Sequence, residues 1–316
     1  MLNLKEELKG AKTVGISGHI RPDGDCIGST MGLYLYLKKT RPDLSVRIFL
    51  EKPADIFECI KDIDCIEDAL ACDDVFDVFF SIDCGKERLG DAEHLFDSAK
   101  LTVNIDHHVS NPGTGHYNYI VPNASSASEL VYDLIDTNEL DEDIAKALYI
   151  GIIHDTGVMQ YSNTSPKTLN IVASLISYGF DFPKLIEETF YEKTYLQTQI
   201  MGRALLESFS IMDGKVSVSQ VDRKMMDFYG VTPHDLDGIV NQLKNIKGVD
   251  VAIFMYQLAT MEYKVSLRSN GKIDVAKVCS KFGGGGHVRA AGCTLNGNFY
   301  DVVNNITAEI EAQYKG

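Results

Sequence analysis

The amino-acid sequence predicts an α/β fold in two parts: a parallel sheet with helices on both faces, then a smaller α/β region. Three observations carry this. Short apolar runs in the first half alternate with helical patterns, at the spacing of a parallel sheet. Several of those runs lead directly into polar, Asp-containing sequence, and ligands of such sheets collect at the strands' carboxyl ends. Beyond residue 210 the texture changes to alternating strand patterns around a short helix and a glycine run. At 316 residues the chain is long enough for two such domains.

Taken in order, Thr13–Ser17 (TVGIS) reads as a strand and 27–39 as a helix with apolar positions at helical spacing. Residues 46–50, Val78–Ile82 and 101–105 supply further strands. Ser126-Ala-Ser-Glu129 opens a helix as a capping box, and another helix runs from Glu142 toward His154. Ser165-Pro166 starts the next, with Ser as N-cap and Gly179 as a natural stop. Residues 182–209 are long, polar and helical, and are expected to connect domains at 1–181 and 210–316. In the second domain 216–219, 249–258 and 263–267 alternate as strands, the last two as a hairpin. A short helix at 274–281 then leads into Phe282-Gly-Gly-Gly-Gly-His287-Val-Arg289-Ala-Ala-Gly292.

Composition narrows the class. Hydrophobic content of 45% with 24% charged residues is that of a soluble protein. No apolar run has the length of a membrane span, and the charged N-terminal stretch lacks a signal-peptide core, so a cytoplasmic protein with no membrane partner is expected. Seven scattered Cys form no CxxC pair and are expected to be mostly buried, reduced thiols. A formal charge of −15 argues against coating long or duplex nucleic acid, but not against a short anionic substrate bound through metals.

Four segments carry the chemistry. His19, Asp23 and Asp25 offer an imidazole and two carboxylates on one loop after a strand, with Gly24 as a turn between them. Neighbouring Asp residues repel unless a cation neutralises them. Asp83 follows Val78–Ile82 and is placed to bridge two metals, although a lone Asp there more often caps a helix. Asp106, His107 and His108 are adjacent ionisable groups at another strand end, costly unless they bind something. Asp155 ends an apolar helix, where a buried carboxylate needs a partner. Together these His and Asp residues suit two Mn²⁺ ions, or another borderline divalent ion, better than Mg²⁺. Two ions sharing a carboxylate activate a water between them and stabilise both oxygens of an in-line displacement, which makes the site hydrolytic. In the second half, four glycines permit close approach of a phosphate, and His287, Arg289 and the strand-end Arg268 supply cationic donors.

HIRPDGD, the Asp of SIDCG, NIDHH and IIHDTG resemble the four motifs of the DHH phosphoesterase superfamily. FGGGGHVRAAG resembles the glycine-rich signature of the associated DHHA1 domain. The compact length resembles the NrnA type, bifunctional oligoribonucleases and pAp phosphatases, rather than the longer RecJ-type exonucleases. The resemblance implies a DHH domain with a parallel sheet and a DHHA1 domain with a mixed sheet, joined by a helical linker. It implies His19, Asp23 and Asp83 around one Mn²⁺, and Asp25, Asp83, His107 and Asp155 around the other. Hydrolysis by a hydroxide held between the ions would follow, with His108 facing the substrate phosphate and Asp106 orienting its neighbours. Arg268, His287 and Arg289 would grip the substrate's end, with Gly284, Gly285 and Gly286 offering backbone donors. His154 is left structural. The implied substrates are short oligoribonucleotides (nanoRNA) and pAp. Linear dinucleotides such as pApA, or polyphosphate and pyrophosphate, are the alternatives, and a homodimer stays open.

Overall fold

A computed structural model describes residues 4–315. Its contacts divide the chain into two compact units, Met1–Glu192 and Lys193–Gly316.

The first unit holds five parallel strands, β1 (Thr13–Ser17), β2 (Ser45–Phe49), β3 (Val78–Ile82), β4 (Leu101–Asp106) and β5 (Tyr117–Ile120), in the order β2-β1-β3-β4-β5. The order reverses between β1 and β3, and a crevice opens outside the carboxyl ends of such neighbours. Both faces are covered. Val14, Ile16, Phe80, Ile82 and Val103 pack on one side with Ile27, Leu130 and Ile150 from the helices. Phe79 packs on the other with Phe49, Phe76, Leu95 and Phe96. Each such side chain contributes roughly 1.5–3 kcal/mol on burial. Strand β5 lies outside the expected set because its sequence, YNYI, has no apolar period and stays half-exposed at the sheet edge.

Two expectations are corrected here. The helix expected at 27–39 spans Gly24–Thr40, because the Asp23 side chain caps it by accepting the Asp25 and Cys26 amides, each at 3.1 Å. Asp25 therefore stands in a first helical turn rather than on a loop. Gly24 is not a turn residue either; a Cβ there would stand 2.2 Å from His154 Cγ, so it is small to admit that ring. The segment 182–209 is shared out. Phe182–Ile186 and a π-turn at Glu187–Tyr191 belong to the first unit, where Leu185 joins the core. Helix Tyr195–Leu206 belongs to the second, where Ile200 and Ala204 are fully buried.

The second unit is built on a mixed sheet of β6 (Phe209–Ile211), β7 (Val216–Val221), β8 (Val251–Ala259), β9 (Glu262–Ser269), β10 (Gly285–His287) and β11 (Ala290–Asn296). Their order is β10-β11-β9-β8-β7-β6, with β7–β8 parallel and the other pairs antiparallel. The β8–β9 hairpin is as expected. Helices Val275–Ser280 and Phe299–Lys315 cover Val265 and Leu267 on one face, while Tyr195–Leu206 and Ile239–Lys244 cover Ala252 and Phe254 on the other. Among the described residues no helix is long and apolar enough to cross a membrane.

Candidate metal centre

The carboxyl ends of β1, β3 and β4 bring the first-half residues together. His19 follows β1, and its Nδ1–H donates to the Ile20 carbonyl at 2.8 Å. Its Nε2 lies 3.6 Å from Asp23 Oδ1 and 3.4 Å from Asp83 Oδ2. Asp83 follows β3 with φ +63°, a left-handed conformation that Asp tolerates better than most residues, and its amide still donates to Ile105 O at 2.9 Å. Its other oxygen, Oδ1, lies 3.4 Å from His107 Nε2 and 3.7 Å from His108 Nδ1. His107 Nε2 is also 3.6 Å from Asp155 Oδ2 and 3.9 Å from Asp25 Oδ2. Asp83 thus turns one oxygen toward His19 and Asp23, and the other toward the group containing His107, Asp25 and Asp155.

Asp106 has a different task. It ends β4 fully buried, and its Oδ1 accepts the His107 amide (2.7 Å), the His108 amide (3.1 Å) and His108 Nδ1–H (2.7 Å). Its Oδ2 accepts Asn111 Nδ2 at 2.6 Å. Burial alone would raise its pKa, but these donors, His108 first, hold it below the ordinary range.

The remaining charges oppose one another. Burial, with the charges of Asp83 and Asp155, pushes Asp25 well up. Burial, aided by Asp83 and Asp23, raises Asp155 to about 7 against the pull of His107. Burial would lower His19 and His107, yet the surrounding carboxylates raise each to about 10. In the metal-free chain protons therefore compensate the carboxylates. A cation does the same with better geometry, since ligand atoms ~2.1 Å from one ion lie roughly 3–3.5 Å apart. The residues fit such an ion. Asp83 Oδ1 is buried without a hydrogen-bond partner, a costly state that a cation relieves. Three ligand sets are close enough to hold one: Asp25–His107–Asp155, His19–Cys26–Asp83, and Asp83–Asp106–His107–His108.

Several contributors escaped the sequence reading. Asp25 Oδ2 and Oδ1 accept the amides of Ala127 (2.6 Å) and Ser128 (2.9 Å), at the start of helix Ala127–Leu134. Gly151 backs the same carboxylate; a Cβ there would stand 2.9 Å from Asp25 Oδ1. Glu129 does not complete the expected capping box. Ser126 does cap the Glu129 amide, but the Glu129 carboxylate bonds Ser125 and Thr168 instead. The clustering of small polar residues in SSAS was the available signal. Cys26 is buried as expected, and its thiol lies close to His19 and Asp83. His154 sits between Phe57 and Phe190, with Nε2 3.2 Å from Thr189 Oγ1.

The expected substrate residues lie in the second unit. The ladder sets His287 opposite Ala290, and Ala290 opposite Arg268, so the three share one sheet face. Arg268 Nε donates to Asn241 Oδ1 at 3.1 Å, and the Arg289 guanidinium lies against Gly271. The glycine run is ordered: Gly285 and Gly286 form β10, and the Gly284 amide donates to Cys279 O at 3.0 Å. A Cβ on Gly284 would stand 2.2 Å from Gly292 O, so glycine there permits the close approach of β11.

Residues 13–152 match the DHH family, N-terminal domain, and residues 213–316 the DHHA1 domain. The chain is 30% identical over 292 residues to the bifunctional oligoribonuclease and PAP phosphatase NrnA of Mycoplasma pneumoniae, covering 88% of this chain and 86% of that protein. It is 29% identical over 293 residues to the protein of the same name from Thermus thermophilus, covering 89% of this chain and 84% of that one. Its fold is similar to that of an exopolyphosphatase-related protein of Bacteroides fragilis, with a TM-score of 0.89 at 24% identity over 98% of this chain and 94% of that one. The chain belongs to the DHH phosphoesterase family, with a DHHA1 domain following its DHH domain.

Proposed function

We propose that this phosphoesterase cleaves short oligoribonucleotides to mononucleotides and removes the 3′-phosphate from pAp, using two Mn²⁺ ions. The observation that carries the reading is Asp83, with one oxygen 3.4 Å from His19 Nε2 and the other 3.4 Å from His107 Nε2. His19, Asp23 and Asp83 would hold one ion, and Asp25, Asp83, His107 and Asp155 the other. Ions bound there supply Lewis acidity, activation of water and neutralisation of phosphate charge. The chain's own residues do the rest. Asp106 fixes His108 through Nδ1, so the ring keeps one orientation and donates to a phosphate oxygen from the other edge. The burial of Asp25, Asp83 and His107 keeps bulk water away, which strengthens each charge interaction. Arg268, His287 and Arg289 bind the anionic end of the substrate, with the exposed backbone of Gly285 and Gly286 beside them. Gly284 serves by its small size, since its amide is committed to Cys279.

Similarity to NrnA proteins over most of the chain supports the substrate class. The −15 charge agrees, because it disfavours long polyanions. A cytoplasmic location accords with seven unpaired thiols among the described residues. The test is incubation with labelled di- to pentaribonucleotides, pAp and pApA in the presence of Mn²⁺. Release of mononucleotides and of phosphate from pAp is expected; a folded, Mn²⁺-loaded protein that releases neither would overturn the reading. Preference for pApA, by kcat/KM, would move the assignment to linear dinucleotides.

A further inference from the structure

Behind the metal centre, Asp25 and Asp155 are tied to each other through a polar network that ends on Glu129. Asp25 is gripped by the amides of Ala127 and Ser128, at 2.6 and 2.9 Å. The turn carrying those amides is held from behind. Ser125 Oγ donates to Glu129 Oε2 at 2.6 Å, Thr168 Oγ1 donates to the same oxygen at 2.7 Å, and Lys167 Nζ lies 3.2 Å from Oε1. The Ser125 carbonyl accepts Asn163 Nδ2 at 2.8 Å. That amide group also donates to the Asp155 carbonyl at 3.1 Å and approaches Asp155 Oδ2 at 3.4 Å. Segments 125–129 and 167–168 thus meet at one buried acid, and Asn163 ties the Ser125 carbonyl to Asp155.

Glu129 is 2% exposed, and a buried carboxylate is costly unless its oxygens are satisfied. Helix capping does not account for it, because its side chain never reaches the N-cap amide. Its bond from Ser125 braces the turn that holds Asp25, and its contacts with Thr168 and Lys167 anchor it to helix Pro166–Ile176. Its carboxylate stays ionised: burial opposes this, but the hydroxyls of Ser125 and Thr168 and the Lys167 ammonium outweigh it. The other half of the centre is held differently. His19 is fixed by the Ile20 carbonyl, and Asp23 by the amides of Asp25 and Cys26.

We infer that Glu129 is a positioning residue that sets the affinity of the Asp25–His107–Asp155 group for its ion, with Asn163 as its link to Asp155. It rests on the two-ion reading above. Partners that orient a ligand typically govern ~10–100-fold of metal affinity. Because both hydroxyls meet one Glu129 oxygen, an amide in its place keeps that acceptor.

Mn²⁺ titration calorimetry on the full chain, paired with thermal unfolding of the metal-free protein, tests this. Wild type is expected to show two binding events. Glu129→Ala lowers one affinity by about 10–100-fold and spares the other. Glu129→Gln recovers most of the loss, and Asn163→Ala weakens the same event. Lower thermal stability with both affinities unchanged, or both weakened together, would assign Glu129 to the fold alone and overturn the inference. Asn163→Ala and Ser125→Ala carry the test if Glu129→Ala does not fold. A wild-type protein that takes up no Mn²⁺ would instead defeat the two-ion reading itself.

Discussion

The metal centre and the glycine hairpin solve opposite problems. The centre buries its charges: His19, Asp25, Asp83 and His107 are each 2–7% exposed, and each is braced by backbone or by a neighbouring charge. The hairpin exposes Gly285, Gly286, His287 and Arg289 on a frame of small residues. Buried charges demand compensation, so the first region is built around a definite cation. Exposed donors cost little to hold in water, so under the proposed function the second would take an anionic end that varies between substrates. The contrast predicts that damage to the first abolishes chemistry, whereas damage to the second weakens binding.

The sharpest way to break that contrast is Asp83→Ala. It removes the carboxylate facing both groups, and activity should fall on the order of 10³-fold or more, given the several kcal/mol that bound ions supply. Metal analysis should show Mn²⁺ lost as well; retention of both ions would remove Asp83 from its bridging place. His287→Ala should lower kcat/KM by roughly 10–100-fold, the worth of one charge-assisted hydrogen bond, with Mn²⁺ content unchanged. Loss of metal in that variant would erase the division of labour.

A pH series sharpens the comparison without mutation. His19 and His107 are raised to about 10, and Asp155 to about 7, in the metal-free fold. Raised groups stabilise the fold in their protonated forms, so their contribution is present below the unfolded values and lost as pH rises through the folded ones. The contribution of Asp155 should therefore be lost as pH rises from 3.8 to about 7 and those of His19 and His107 from 6.5 to about 10, while Mn²⁺ affinity rises with release of protons. Unfolding midpoints measured with chelator and with Mn²⁺ should diverge as pH rises; parallel curves would contradict this.

The smallest effect is expected at the end of β3 opposite Asp83. Asp77 accepts Lys12 N at 2.8 Å, Thr13 N at 3.1 Å and Lys100 Nζ at 2.7 Å, and these bonds, Lys100 first, hold its pKa down. Asp77→Asn should cost about 1 kcal/mol in urea unfolding at neutral pH with activity unchanged. That contribution should vanish as pH falls below the ordinary carboxylate range, because a depressed group stabilises only where it is ionised.

The two regions were not equally legible in the sequence. Apolar strands running into Asp and His marked β1, β3 and β4, because a fully buried parallel strand is uninterrupted hydrophobe and its end is abrupt. The convergence of His19, Asp83 and His107 follows from the adjacency of β1, β3 and β4, whereas Asp155 arrives at the end of helix Glu142–Asp155. What stayed hidden was held by backbone. The amides of Ala127 and Ser128 that grip Asp25 leave no side-chain signature, and Glu129 looked like an ordinary cap. In the second unit β10 and β11 were hidden because their glycines and alanines carry no strand propensity; pairing with β9 makes them strands. Phe282–Gly292 therefore announced donors but not the hairpin that presents them.

The central claim is that Asp83 is shared by two ions, and electron paramagnetic resonance of protein loaded with two equivalents of Mn²⁺ tests it most directly. A carboxylate bridge couples the two ions magnetically, so an exchange-coupled spectrum is expected, replaced in Asp83→Ala by the signal of free or isolated Mn²⁺. Wild-type protein showing only isolated Mn²⁺ signals at full loading would contradict it.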